Sequence, residues 1–411
     1  MATDATRAEE LFKPGSIGGL ELRNRLIRAG TSESMAGDAG EITDELTALY
    51  ERLARNELGG IFTGHLYCDP RGQYATNQTG IYDDRLIPGL TQFAAKVGRH
   101  GARLFAQLAH AGSQSRVPGV EPVAPSSVPN VLTGRPVPEA SAAEIEATVA
   151  AFGAAAVRAV EAGFDGIHIH GANGYLISEF SSPLTNLRDD EWGGSPERRD
   201  RFAVEVVRAV RAAAPPEMPV TLKLGMYDAQ SGGLQVEESV DRAERLVVAG
   251  LDAIEVSVNA MLSPTDSANT YVAVDRKRAA SDFLVHRLFS DARPEAYYRP
   301  LAEALRERGV DCKVVLVGGL RTTQTMNEVL ASGDADFLSM ARPLIREPDL
   351  VRQLSEGRTG RVDCTSCNLC LTHEGHHTLR CWRKPRRRLL RHAAYRLSGG
   401  FRREPISPKK H

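Results

Sequence analysis

SAAEIEATVAAFGAAAVRAVEAGFDGIHIHGANGYLISEF, residues 141–180, decides how this chain folds. Its first part, 141–163, repeats apolar residues at helical spacing, and the run GIHIHGA (166–172) that follows is short and apolar, as a buried strand is. That strand ends on polar groups, His170, Asn173 and Tyr175, each of which costs about 1–3 kcal/mol in a buried place unless a partner satisfies it. Working outward, seven more apolar runs bounded by Gly, Pro or polar turns lie at 24–31, 59–66, 103–110, 220–227, 253–260, 313–320 and 337–342. Segments of helical period at 45–56, 86–101, 141–163, 198–213, 236–250 and 322–333 separate most of them. Eight strand–helix units in 411 residues predict an α/β fold, a (β/α)8 TIM barrel over residues 11–355.

Such barrels build their sites from the loops at the C-terminal ends of the strands. His170, Asn173 and Tyr175 are therefore expected at the mouth, and His168, one pleat lower, in the barrel interior. The loops at 111–140 and 260–300 are long enough to read as substrate-facing lids. Gly318-Gly319 and Ala341-Arg342, after strands seven and eight, read as a phosphate site in which Arg342 donates two parallel hydrogen bonds. Ser32, Gln107 and Lys223 sit at or inside other strands, where a flat heteroaromatic ring across the mouth would satisfy the amide and the ammonium. A second reading of Lys223 is an internal pair with a carboxylate.

Residues 170–202, HGANGYLISEFSSPLTNLRDDEWGGSPERRDRF, closely resemble the signature of the old yellow enzyme family of FMN oxidoreductases. NRLIRAG (24–30), QLAHAG (107–112), VGGLRT (317–322) and SMARPLIREPDL (339–350) resemble other segments of that family in the same order. The resemblance implies an FMN-bearing barrel that takes hydride from NAD(P)H and delivers it to an activated alkene. By position it implies Ala29, Gly30 and Thr31 as backbone neighbours of the flavin, Gly64 and Gln107 against its ring, Lys223 at its polar edge, and Gly319, Ala341 and Arg342 at its phosphate. His170 and Asn173 match the pair that binds the substrate carbonyl, and Tyr175 matches the proton donor. Many members carry Arg where this chain has Lys223, and Thr or Cys where it has Ser32. Lysine keeps the charge and loses the planar fork.

Beyond the barrel, Cys364, Cys367, Cys370 and Cys381 of the Cys-rich segment 356–382 stand in the spacing C-x2-C-x2-C-x10-C. That density asks for a metal. The segment resembles the [4Fe–4S] part of 2,4-dienoyl-CoA reductase and trimethylamine dehydrogenase, with a slightly shorter last gap. His373, His376 and His377 keep zinc open as a second reading, and free thiols are a third. No Gly-x-Gly-x-x-Gly occurs in the tail, so a cluster would exchange electrons with a separate electron-transfer protein or with NAD(P)H through the flavin.

The basic tail 383–411 holds eleven Lys or Arg against one acid, Glu404. It reads as a solvated segment, or as a docking element for an acidic electron carrier. Few aromatics interleave its charges, so no nucleic-acid partner is expected. The start, MATDATRAEE, lacks the basic start and apolar core of a secretory signal, residues 1–10 read as a flexible N-terminus, and no uncharged apolar run nears the roughly 18 residues of a membrane span. A reducing, cytoplasmic setting is expected, with the cysteines unpaired. The function read from these features is reduction of an enone or enoyl substrate. An amine dehydrogenase or demethylase of the same family, a flavin-free sugar-phosphate barrel and a non-enzymatic electron-transfer flavoprotein stand as alternatives.

Overall fold

All eight apolar runs form strands, and these close on themselves as one parallel barrel. The computed structural model describes residues 9–130, 134, 136–260 and 295–400. A hairpin of β1 (Gly15–Ile17) and β2 (Leu20–Leu22) precedes the barrel strands β3 (Leu26–Arg28), β4 (Gly60–Tyr67), β5 (Arg103–Ala109), β6 (Gly166–Gly171), β7 (Val220–Gly225), β8 (Ala253–Ser257), β9 (Lys313–Val317) and β10 (Phe337–Met340). The barrel runs in chain order from β3 to β10, and β10 pairs back onto β3.

The run predicted at 59–66 forms a strand shifted by one residue, and the other predicted strands were too long at their ends. Asn24 Oδ1 accepts from Leu26 N–H (3.0 Å) while its Nδ2 donates to Glu57 O (2.7 Å), so Asn24 steers the chain into β3 rather than pairing within it. The expected helices appear as Asp44–Ala54, Ile87–Gly98, Ala142–Glu161, Pro196–Ala213, Val236–Val248 and Thr323–Ser332. Helix Ala142–Glu161 starts with a capping box, in which Glu144 N–H donates to Ser141 Oγ (3.3 Å) and Ser141 N–H to Glu144 Oε2 (2.9 Å).

The interior is layered. At the bottom, Ile17 and Leu22 of the hairpin plug the barrel against Ile27, Phe62, Phe105, Ala253, Val315 and Phe337. Above them the filling turns polar. His168 stacks on Phe62 (3.9 Å) and shares a hydrogen bond with Thr221 Oγ1 (2.8 Å), as expected of an interior residue. The β7–β8 register sets Lys223 opposite Glu255, with Lys223 Nζ 2.6 Å from Glu255 Oε2, so the internal carboxylate pair exists.

The lid expected at 260–300 falls mostly on residues 261–294, outside the described residues. Of the other, 111–140, Arg188 Nη1 ties down the middle and the far end by donating to Pro125 O (2.9 Å) and Ala140 O (2.7 Å). The basic tail is not simply a solvated coil: Arg386–Leu397 is a helix whose buried His392 bonds His373 (2.9 Å). No helix among the described residues is long and apolar enough to cross a membrane.

Candidate active site

At the end of β6 two consecutive residues take the left-handed conformation, Asn173 (φ 61°) and Gly174 (φ 75°). Asparagine tolerates that conformation and glycine adopts it freely. The turn is pinned from outside, because Asn173 N–H donates to Val258 O (3.2 Å), Gly174 N–H to Asn259 O (2.7 Å), and Gln114 Nε2 to Asn173 O (2.9 Å). It folds Tyr175 back over the mouth, where the Tyr175 and His170 rings meet edge to face at 4.7 Å.

His170 is 4% exposed and makes no hydrogen bond among the described residues, with its Nδ1 fully buried. Burial, then His65 and Lys223, holds its pKa well below the usual histidine value, so the ring is neutral at pH 7. A neutral imidazole has one N–H to give. Ser257 Oγ donates to Asn173 Oδ1 (3.3 Å), which leaves Asn173 Nδ2 as a donor beside it. The structure thus brings the His170 and Tyr175 rings together, with Asn173 in the turn between them.

Gln107, 1% exposed, has no partner for Nε2 among the described residues, and a Cβ on Gly30 would stand 2.4 Å from its Oε1. Gly64 is equally confined: a Cβ there would lie 2.0 Å from Glu33 Oε2 and 2.6 Å from Thr31 O. These bare backbones pack closely on Gln107 and Glu33 where β3, β4 and β5 meet. Against Gly64 runs a buried network that the sequence reading missed, in which Arg28 Nη2 donates to Glu33 Oε1 (2.7 Å), Tyr50 Oη donates to the same oxygen, and Gly64 N–H donates to Tyr50 Oη (2.7 Å).

Lys223, on β7, pairs with Glu255 directly across from it on β8, and Glu255 also accepts from Ser339 Oγ. Burial raises the Glu255 carboxyl, but Lys223 and His168 outweigh that and hold it far below its usual range. Arg342 opens a short helix, Arg342–Arg346, after β10, where its Nη1 donates to Asn368 Oδ1 (2.6 Å). Gly318 (φ 104°) and Gly319 (φ 72°) form the expected turn, and the close approach they permit is taken by the rings of Tyr297 and Tyr298.

The Cys-rich segment lies across this side of the mouth, held by Arg321 Nη2 to Ser366 Oγ (3.1 Å) and Leu379 N–H to Glu33 O (2.9 Å). From it Glu374 reaches Ser32, and burial raises its carboxyl. Cys364, Cys367, Cys370 and Cys381 are near enough to one another for their charges to interact, and burial raises the Cys364 and Cys370 thiols. Among the described residues, however, no three His, Cys, Asp or Glu side chains are gathered as ligands of a single ion. His373 packs instead against Trp382 (3.5 Å) and His392.

Comparison with known proteins gives the geometry a context. The profile described as the NADH:flavin oxidoreductase / NADH oxidase family matches residues 10–360. A protein named NADH oxidase from Thermoanaerobacter brockii is 34% identical over 370 residues, 89% of this chain and 54% of its own length. An NADPH dehydrogenase of Geobacillus sp. is 34% identical over 82% of this chain and 91% of its own. Among solved structures, an old yellow enzyme homologue from Zymomonas mobilis superposes with a TM-score of 0.68 at 26% identity, covering 86% of this chain and 94% of its own. The chain spans about half the length of some curated relatives, 54% and 51% of two of them, and nearly the whole of others.

Proposed function

Since the chain belongs to the NADH:flavin oxidoreductase / NADH oxidase family, that of the old yellow enzymes, we propose that it is an FMN-dependent NAD(P)H oxidoreductase that reduces the C=C bond of α,β-unsaturated carbonyl compounds. One observation carries the choice of substrate. His170 is buried with no hydrogen bond among the described residues, edge to face with the Tyr175 ring, and Asn173 stands in the turn that joins the two. An amine dehydrogenase has less use for two such donors on one oxygen. The flavin-free sugar-phosphate reading draws nothing from the family match.

Ala29, Gly30, Thr31, Gly64 and Gln107 would hold the flavin ring, Lys223 its polar edge, and Gly319, Ala341 and Arg342 its phosphate. What fits a flavin here is the Gln107 amide, whose buried Nε2 has no partner among the described residues; the space beside Gly30 and Gly64 is filled by Gln107 and Glu33. When bound, FMN supplies the hydride that it accepts from NAD(P)H. His170 and Asn173 donate to the substrate carbonyl oxygen and stabilise the enolate-like charge that develops as hydride reaches the β-carbon. Tyr175 then gives its phenolic proton to the α-carbon as general acid, which completes addition of one hydride and one proton across the double bond.

Heat-denatured protein is expected to release one FMN per chain; colourless protein that releases none would overturn the proposal. Gly30→Ala should weaken FMN binding about tenfold, roughly 1.4 kcal/mol, because its Cβ displaces the Gln107 amide. Fluorescence titration of the apoprotein measures this, and unchanged affinity would place the ring elsewhere. Tyr175→Phe should slow reoxidation of the reduced enzyme by an enone about 10²-fold or more while leaving its reduction by NAD(P)H nearly normal. Stopped-flow traces of the two half-reactions decide that.

For Cys364, Cys367, Cys370 and Cys381 the proposal is a [4Fe–4S] cluster, whose ligands stand further apart than those of a single ion. Anaerobic reconstitution should give iron and sulfide near four per chain, lost in Cys367→Ser. Stoichiometric zinc, or no metal, would contradict it.

A further inference from the structure

His65, in the β4 run GIFTGHLY, takes no part in the mechanism above, yet its protonation can be worked out from its neighbours. Tyr74 N–H donates to Gln78 Oε1 (2.6 Å), which settles which end of that amide is oxygen. Gln78 Nε2 therefore donates, once to the His65 carbonyl (3.0 Å) and once to His65 Nδ1 (3.1 Å). A ring nitrogen that accepts carries no proton, so the proton of the neutral ring is on Nε2. Burial and Arg28 lower the His65 pKa to about 4, and the ring stays neutral at pH 7.

His65 is 8% exposed, and its hydrogen bonds with Gln78 use only Nδ1 and the carbonyl. Nε2–H has no acceptor among the described residues. The rings around it belong to the substrate site: Tyr175 at 5.4 Å, His170 at 5.9 Å and Tyr74 at 6.0 Å between centroids. A donor whose tautomer and orientation are held by Gln78 therefore stands at the same mouth as the carbonyl pair.

We propose that His65 Nε2–H is a third hydrogen-bond donor of the pocket and selects unsaturated carbonyl compounds that carry a second acceptor, such as 1,4-enediones and maleimides. The inference rests on the alkene-reduction reading. A histidine that only packed would serve every substrate alike, whereas a donor built for a second oxygen is left unpaired by a substrate lacking it.

The test compares 2-cyclohexenone, with one acceptor, and 2-cyclohexene-1,4-dione, with two. His65→Phe keeps a ring without the donor, and His65→Asn keeps a donor on a shorter arm. His65→Phe is expected to lower kcat/KM at least tenfold for the dione and less than about twofold for the enone, with partial recovery in His65→Asn. Calorimetric binding of the saturated products, cyclohexane-1,4-dione against cyclohexanone, should show the same preference lost in His65→Phe, a readout that needs no turnover. Equal losses for both compounds in rate and in binding, or no loss, would overturn the His65 assignment. A wild type that binds the dione through His65 but reduces neither alkene would overturn the alkene reading and leave the donor standing.

Discussion

His170→Ala should lower kcat for reduction of 2-cyclohexenone about 10²–10³-fold, the range for removal of one oxyanion donor, or roughly 2.7–4 kcal/mol. The size follows from where the ring sits. It is buried, neutral and without a hydrogen bond among the described residues, so its N–H has no intramolecular bond to exchange for the substrate oxygen, and the ring need not reorganise as charge develops. Asn173→Ala should cost a comparable factor. The double variant should fall short of the product of the two, since both donors serve one oxygen. Kinetics within a few fold of wild type would place the carbonyl elsewhere.

Lys223→Met should destabilise the fold by about 3–5 kcal/mol, because it leaves Glu255, 1% exposed, as an uncompensated charge inside the barrel. Urea unfolding measures this, and Lys223→Met with Glu255→Gln should recover most of the loss. The pair also sets a pH dependence. The folded-state pKa of Glu255 lies below its unfolded value, so its contribution is present at neutral pH and is lost as pH falls through the carboxylate range. His65 acts over a higher window. Its folded pKa of about 4 lies below the unfolded value of about 6.5, so acidification between the two favours the unfolded chain. A Lys223→Met variant as stable as wild type would mean that Glu255 is protonated in the fold and that the pair is not ionic.

What could be read in advance follows from chemistry that repeats along the chain. Parallel barrel strands are buried on both faces and read as nearly unbroken apolar runs, so all eight were legible, and only their ends were misplaced, where side chains such as Asn24 take over the hydrogen bonding. Hairpin Gly15–Leu22 escaped because three-residue strands carry no period. Helix Arg386–Leu397 was taken for a solvated tail because arginine dominates it, and what anchors it is one histidine packed on another. His170, Asn173 and Tyr175 were legible as polar residues ending an apolar run. The same holds for His65 in GIFTGHLY and Glu255 in AIEVS, each a titratable group inside a strand. Their roles depend on Gln78, in the loop that follows β4, and on Lys223, which meets Glu255 through the β7–β8 register. The Arg28–Glu33–Tyr50 network needed the fold, since Tyr50 comes from a helix outside the barrel.

The central claim is that reducing equivalents taken from NAD(P)H leave through an alkene held by His170 and Asn173. Its most direct test is an anaerobic single turnover, in which protein reduced with one equivalent of NAD(P)H is mixed with 2-cyclohexenone while flavin absorbance is followed. Enone-dependent reoxidation with stoichiometric cyclohexanone is expected, slowed about 10²–10³-fold in His170→Ala. Reduced protein that ignores the enone and reoxidises only when oxygen is admitted would contradict it.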